Sequence, residues 1–262
     1  MAKGAGGQAA SPPDVGPRHG RARRWLGLGL DLVFPPVCAC CRDAVEPGSF
    51  APVCAACRAA LVDARPGCPR CGASIPPGGD PQKCARCRDK RFHFDRVSRL
   101  GVYQGALRSA VLRIKRSHQR ALAVALAELL AESAAAPLAA LAPDVVVPVP
   151  MHWTRKLWRG ANSPDAIAKR LAAHLGLPAR PDLLVRCRRT APQASLSHSR
   201  RRANVRGAFR ARRDPDLPGA RILLVDDIMT TGATVDEAAK ILSKSGARVV
   251  AVAVLARAEG LA

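Results

Sequence analysis

Hydrophobic positions beyond residue 92 alternate between short β-branched runs and longer stretches with helical spacing. Val97 to Tyr103 reads as a strand. Ala106 to Arg116 puts Leu107, Ala110, Val111 and Ile114 on one helical face, with Arg108, Arg113, Lys115 and Arg116 largely outside that stripe. Ala121 to about Ala136 reads as a buried or amphipathic helix carrying Glu128 and Glu132, and Pro137 is expected to stop it. Val145 to Val149, framed by prolines, predicts a buried strand. Ser163 to Leu175 predicts a helix, with Ser163 as its cap and Pro164 in its first turn. Ile222 to Val225 predicts a strand, Thr234 to Ser245 a helix ended by Gly246, and Val249 to Leu255 another strand. Thr190 to Arg202 is polar and aperiodic and reads as a mobile loop able to fold over a ligand. The alternation predicts an α/β fold, a mostly parallel sheet flanked by helices, with ligands beyond the carboxyl ends of the strands.

Upstream the pattern is different. Residues 1–24 are rich in Gly, Pro and Arg and read as a flexible basic tail. Trp25 to Phe34 is apolar, but it is short and interrupted by Asp31. Pro35 and Pro36 follow it instead of a small-residue cleavage site. It reads as a short amphipathic helix, not an export signal, so a cytoplasmic protein is expected. No 18-residue apolar run is present, so no membrane span is expected. The chain divides into a tail over 1–24, a cysteine-rich module over 25–92 and the α/β domain over 93–262.

Nine of the ten cysteines lie between Cys38 and Cys87. Cys38-x2-Cys41 is followed by Cys54-x2-Cys57, then by Cys68-x2-Cys71 and Cys84-x2-Cys87, so the unit C-x2-C-x12-C-x2-C occurs twice. A two-residue gap lets a tight turn aim two sulfurs at one ion, and two such knuckles complete a closed tetrahedral site. Two structural zinc ions are therefore expected on these eight residues. A disulfide framework would need an oxidising compartment, and a redox-active Cys-x2-Cys would not need four tandem copies. Sequential pairing, the first knuckle with the second and the third with the fourth, is expected, with interleaved pairing as the alternative. Cys40 falls outside the pattern as a spectator, and Cys187 is read as a packed strand-end cysteine. With so few large apolar residues, the module is expected to need metal in order to fold.

The 262-residue chain holds 42 Lys and Arg against 20 Asp and Glu, a formal charge of +22. A hydrophobic share of 48% excludes a wholly disordered chain, and 3% aromatics leave few stacking platforms for bare bases. So basic a chain favours a polyanionic partner or ligand. Arg42, Arg58, Arg65, Arg70, Lys83, Arg86, Arg88, Lys90 and Arg91 surround the cysteines, either as a phosphate-contacting surface or as a solvated offset to thiolate charge. From Arg186 to Arg213 there are ten arginines and no acid. Roughly four to six could contact phosphates together; the alternative is a solvated surface loop. His152 and His198 read as polar loop residues.

The sharpest string is Ile222-Leu-Leu-Val-Asp226-Asp227-Ile-Met-Thr230-Thr231-Gly232-Ala233-Thr234. It places two carboxylates at the end of a buried strand, then a Thr/Gly loop entering a helix. A helix N-terminus with small hydroxyl residues suits a phosphate, and Gly232 permits close backbone approach. Adjacent carboxylates can accept from vicinal sugar hydroxyls and help hold magnesium. Together these groups describe a ribose-5-phosphate pocket.

This string resembles the phosphoribosyl pyrophosphate (PRPP) signature of type I phosphoribosyltransferases. By that resemblance Asp226 and Asp227 contact ribose hydroxyls, and Thr230, Thr231, Gly232, Ala233 and Thr234 cradle the 5-phosphate of PRPP bound with Mg²⁺. The resemblance also implies a pyrophosphate loop after an earlier strand, where Val147-Pro-Val-Pro-Met-His152-Trp-Thr-Arg155-Lys156 lies. Arg155, Lys156 and Arg159 would be its contacts. With the preceding double zinc ribbon, the chain resembles the ComF family of competence proteins over about Leu28 to Ala258. Tyr103-Gln-Gly105 with Ile114-Lys115, Trp158-Arg159-Gly160-Ala161-Asn162, Thr190-Ala-Pro-Gln193, Leu196-Ser197 and Arg201-Arg202-Ala-Asn204-Val-Arg206-Gly207-Ala-Phe209 carry that resemblance. Two positions depart from it: Ala161 stands for the usual Phe and Ser163 for the usual Gln, in a segment able to shape an acceptor pocket. The family resemblance implies a cytoplasmic role in single-stranded DNA uptake during natural transformation, beside a helicase-like partner and recombination factors. It implies a transferase fold more firmly than a transferase reaction. If a reaction runs, an acceptor displaces pyrophosphate through positioning and charge stabilisation. A third reading makes the ribbons a protein adaptor.

Overall fold

The computed structural model describes residues 37–45, 52–116, 119–151, 163–191 and 198–259. In chain order the elements are α1 (Ala55–Leu61), a 3-10 turn (Pro81–Lys83), β1 (Arg96–Val102), α2 (Gly105–Arg116), α3 (Arg120–Ser133), α4 (Ala135–Leu141) and β2 (Val145–Pro148). They continue with α5 (Ser163–Leu175), β3 (Leu184–Arg186), α6 (His198–Val205), β4 (Phe209–Ala211), β5 (Arg221–Met229), α7 (Ala233–Lys244) and β6 (Val249–Arg257).

β1, β6, β5 and β2 form one parallel sheet in that order. Side chains on the central strands alternate between two cores. Leu223 and Val225 of β5, with Ala251, Ala253 and Leu255 of β6, face α2, α3, α4 and α5. Ile222 and Leu224, with Val250, Val252 and Val254, face α7 and the separate antiparallel β3–β4 pair. Burial on both faces is why these strands are continuously apolar instead of alternating. The sheet and its flanking helices are the α/β architecture that the periodicity predicts.

Several boundaries differ from expectation. Pro137 does not stop the long helix. α3 ends at Ser133, α4 starts two residues later at 73° to it, and Pro137 occupies the first turn of α4. There its missing N–H would have no helical acceptor anyway. Ser163 is the first residue of α5, not its cap, and its hydroxyl donates to the Ile114 carbonyl at 3.4 Å. Part of the expected Thr190–Arg202 loop is helical in α6, and the arginine run also supplies β3 and β4. Cys187 is exposed rather than packed, although its N–H donates to Ala208 at 2.9 Å. No single helix among the described residues is long and apolar enough to cross a membrane. Residues 1–24, Trp25 to Phe34 and His152 lie outside the described residues.

The cysteine module is two copies of one turn. Val37 bridges Ala44 and Gly67 bridges Ser74, so each copy begins as a small antiparallel loop. Arg42 donates its N–H to the Cys38 carbonyl at 2.9 Å, and Gly72 to the Cys68 carbonyl at 2.7 Å. Both residues take a left-handed φ, 72° and 70°. Arginine is tolerated in the first copy, where the side chain is exposed. In the second, a Cβ on Gly72 would meet Val97 Cγ1 at 2.9 Å, so only glycine fits both the turn and the contact.

The stretch between the copies and the start of the second knuckle lie along the outer edge of β1. Asp63 donates to Leu100 at 3.1 Å, and Val97 donates back to Pro69 at 2.8 Å. This covers part of an edge that would otherwise expose unpaired backbone groups. The Arg99 guanidinium reinforces it, pairing with Asp63 at 2.9 Å and Glu259 at 3.0 Å. Gly101 sets how closely the module approaches, since a Cβ there would lie 3.0 Å from the Leu61 carbonyl and 2.9 Å from Leu107 Cδ2. Gly101→Ala should therefore destabilise by about 1–3 kcal/mol. The expected reading is a lower denaturant midpoint at unchanged slope; an unchanged midpoint would mean the module does not press on β1.

Candidate phosphate loop and cysteine clusters

β5 is longer than the Ile222–Val225 strand expected, so Asp226 and Asp227 lie within it, not after its end. They begin where the sheet becomes one-sided. β2 pairs with β5 only as far as Pro148 opposite Val225, whereas β6 continues beside β5 to Met229 opposite Arg257. Asp226 is half-buried and Asp227 is buried. Asp226 accepts the Asp227 N–H at 2.9 Å, and Asp227 Oδ2 lies 3.0 Å from Lys115 Nζ at the end of α2. Burial and the adjacent Asp227 push the Asp226 carboxyl up to about 7, with Lys115 opposing.

Thr230 and Thr231 carry the chain into Gly232, which takes φ +83° at the N-terminal end of α7. Its carbonyl accepts the Asp236 N–H at 2.8 Å, and Thr231 Oγ1 accepts the Ala233 N–H at 3.2 Å. The 12-residue α7 directs its N-terminal dipole at this loop, where an anion would be stabilised. Gly232 has no room for a side chain: a Cβ would sit 2.8 Å from Met229 Cε, with Phe92 and Phe94 behind at 3.8 and 4.0 Å. Those two rings stack at 4.7 Å. Between them His93 donates its N–H to buried Asp236 at 2.7 Å. Beneath the loop, Arg257 donates to the carbonyls of Met229, at 3.2 Å, and Thr230.

Thus Asp226, Asp227, Thr230, Thr231, Gly232, Ala233 and Thr234 come together on one edge-to-helix turn. Arg155, Lys156 and Arg159 lie outside the described residues. Lys115, Arg257 and the Phe92–His93–Phe94 segment join the site without having been expected there. Arg257 had a signal, a single charge at the end of the apolar run from Val249. Lys115 had its position outside the hydrophobic stripe of α2 and its place in the Ile114-Lys115 pair of the family resemblance.

The cysteines form two clusters in sequential pairing: Cys38, Cys41, Cys54 and Cys57, then Cys68, Cys71, Cys84 and Cys87. Sulfur separations are 3.8 Å for Cys41–Cys54, 3.7 Å for Cys68–Cys87 and 3.8 Å for Cys71–Cys84. A tetrahedral ion with Zn–S bonds of about 2.3 Å needs edges of about 3.8 Å, so both sets fit zinc. Burial raises the Cys38 thiol, but N–H donation from Cys54, Cys41 and Cys40 outweighs it and brings it to about 6. Burial, reinforced by neighbouring sulfurs, pushes Cys57 and Cys87 up. Four thiolates at this spacing repel one another, and a bound dication offsets that repulsion. Cys40 belongs to neither cluster; its N–H donates to Cys38 Sγ at 3.4 Å.

Several arginines serve the fold. Arg58 pairs with Glu132 at 2.6 Å, Arg65 with Asp63 at 2.9 Å, and Arg70 donates to the Lys90 carbonyl at 3.0 Å. In the arginine run, Arg201 is buried, Arg186 stacks 5.2 Å from the Phe209 ring, and Arg188 donates to Asn204 and Arg206 carbonyls at 2.8 and 2.7 Å. Arg189, Arg200, Arg202, Arg206, Arg210, Arg212 and Arg213 are exposed, as are Arg86, Arg88, Lys90 and Arg91.

Two family profiles match this arrangement: a Double zinc ribbon domain over residues 29–90 and a Phosphoribosyl transferase domain over residues 165–260. DNA utilization protein YhgH of Salmonella typhi is 37% identical over 165 residues, covering 59% of this chain and 69% of that protein. Competence protein F of Haemophilus influenzae is 37% identical over 117 residues, 44% of this chain and 51% of that protein. The chain belongs to the competence protein F/YhgH family. Its match spans about half the length of the Haemophilus protein. A purine phosphoribosyltransferase from Pyrococcus horikoshii superposes at a TM-score of 0.30 and 21% identity, covering 61% of this chain and 79% of that one; no residue assignment rests on it.

The acid pair gives a pH test. The folded Asp226 pKa lies above its ordinary value, so its contribution to stability is complete below about 4 and lost as pH rises through about 7. Asp226→Asn removes that loss. Its melting temperature should exceed the wild type's by more at about pH 8 than at about pH 5.5. An equal margin at both would mean the carboxyl is not held up.

Proposed function

We propose that this chain binds a 5-phosphoribosyl ligand, PRPP with Mg²⁺, on the β5–α7 turn and serves the handling of single-stranded DNA. The observation that carries it is the acid pair standing where β2 ends, directly before a Gly232 turn that opens α7. In this reading Asp226 and Asp227 accept from the ribose hydroxyls, and Thr230, Thr231, Gly232, Ala233 and Thr234 receive the 5-phosphate. Arg155, Lys156 and Arg159 receive the pyrophosphate. Asp226 and Asp227 would also help hold Mg²⁺, which would offset the negative charge of the pyrophosphate. Lys115 then balances the carboxylates' charge until the cation arrives. Zinc on the two cysteine clusters completes the module over 25–92, which joins the ligand-binding domain over 93–262 behind the tail over 1–24.

The DNA role rests on the relatives' names, competence and DNA utilization, and on the exposed arginines of α6, β4 and their flanks. Such arginines bind phosphates without reading sequence, and so few aromatics predict little base preference. The setting would be the cytoplasm, with a helicase-like protein and recombination factors as partners. A second reading, transfer of the phosphoribosyl group to an acceptor, is favoured by the intact acid pair; it predicts pyrophosphate release that depends on a nucleophilic base or amine.

Calorimetric titration of PRPP with Mg²⁺ into zinc-loaded protein should show binding that Asp226→Asn/Asp227→Asn abolishes. Silence in the wild type would refute the ligand assignment. Single-stranded DNA affinity should fall with salt at a log–log slope of roughly −3 to −4, as four to six phosphate contacts require. A flat salt dependence would remove the DNA surface from the reading.

A further inference from the structure

The two cysteine clusters differ in what they touch. The first belongs to the helical side of the sheet. Cys38 and Val53 enter the core with Leu107 and Leu126. Arg58 pairs with Glu132 of α3, and Arg113 of α2 donates to the Cys40 carbonyl at 2.5 Å. The second cluster lies at the candidate phosphate loop. Its four cysteines are all buried, whereas Cys41 of the first is exposed.

Arg257 makes the connection. It ends β6 opposite Met229 and is 8% exposed. One edge of its guanidinium donates from Nε to the Cys71 carbonyl at 2.8 Å. Nη1 donates to Met229 at 3.2 Å, to Ala258 at 2.5 Å and to Thr230. A single planar side chain thus holds the second knuckle's backbone on one side and the first residue of the phosphate loop on the other. The acceptors are all neutral carbonyls.

Three further contacts run the same way. The chain leaving Cys87 passes directly into Phe92 and Phe94, which back Gly232. His93 between them holds Asp236 in the first turn of α7. Ser74, just past the Cys71 knuckle, donates to Glu259 at 2.5 Å and accepts from Arg99 at 2.9 Å.

We infer that Arg257 is a positioning residue that makes the loop Thr230–Ala233 conditional on the metal held by Cys68, Cys71, Cys84 and Cys87, and independent of the metal held by Cys38, Cys41, Cys54 and Cys57. This rests on the zinc reading of the clusters; the loop's order can be measured whether or not PRPP is its ligand. Lysine at 257 keeps the charge but cannot span both groups of carbonyls, so geometry and charge separate experimentally.

The test is amide hydrogen exchange on the zinc-loaded full chain, with zinc content measured for every variant. Peptides covering residues 229–236 should exchange at least about tenfold faster in Cys84→Ser/Cys87→Ser, in Arg257→Lys and in Arg257→Met. They should keep the wild-type rate in Cys41→Ser/Cys54→Ser, whose own ribbon should open. Should Arg257→Met fail to fold, Arg257→Lys decides. The inference is overturned by a wild type without zinc or by wild-type loop exchange in the Cys84→Ser/Cys87→Ser protein. Equal loosening by both ribbon variants, or full protection in Arg257→Lys, would overturn it too. PRPP titration on the same samples separates the two proposals: a wild type that binds no PRPP refutes the ligand, while exchange still decides the coupling.

Discussion

β5 outruns β2. Pairing between them stops at Pro148 opposite Val225, and the next two residues of β5 are Asp226 and Asp227. On the other side β6 stays in register to Arg257, so the protruding strand is held straight without being covered. A backbone supported on one edge only can present carboxylates to a ligand and still begin α7 from a fixed point. Pairing from β2 over those residues would close that side of the site; loss of β6 there would leave the loop without support. With no β2 pairing at those positions, Asp227 instead meets Lys115 of α2, Oδ2 to Nζ at 3.0 Å.

The cysteine module fits the same frame. It contributes little large apolar surface of its own, and its order has to come from metal and from the domain it leans on. The contacts are specific at backbone level: Asp63 and Pro69 along β1, Leu61 against Gly101, Gly72 against Val97. Close approach at two glycines and exchange of backbone hydrogen bonds make the module a covering of the sheet edge, and a tether would need neither.

Much of this is readable in the sequence. The tandem C-x2-C spacing, the apolar strands and the Asp-Asp-x-x-Thr-Thr-Gly turn are local patterns whose geometry follows from a few neighbouring residues. The sequential pairing of the knuckles is the simplest reading of the repeat and is the one observed, although spacing alone does not require it. The α3–α4 break is hidden because proline is costly inside a helix and harmless in a first turn, and only the chain's path decides which applies. β3, α6 and β4 escape because the arginine run suppresses hydrophobic periodicity even where Arg201 and Phe209 are buried. Lys115 and Arg257 act across distances in sequence of more than a hundred and of nearly two hundred residues respectively, to Asp227 and to Cys71, and no window-based pattern spans them.

Charge shows most clearly how composition and structure divide the work. A formal +22 suggests a surface given over to polyanions. The structure withdraws a share of it: Arg58, Arg65, Arg99 and Arg180 face carboxylates, Arg188 and Arg257 hold carbonyls, and Arg201 is buried. These side chains use guanidinium as a many-armed donor where the chain has too few regular backbone partners, around cysteine knuckles and short strands. The exposed remainder is concentrated on α6, β4 and the last knuckle. A polyanion drawn by the whole field would therefore be gripped by a minority of the arginines, and its salt dependence should report that minority, not the net charge.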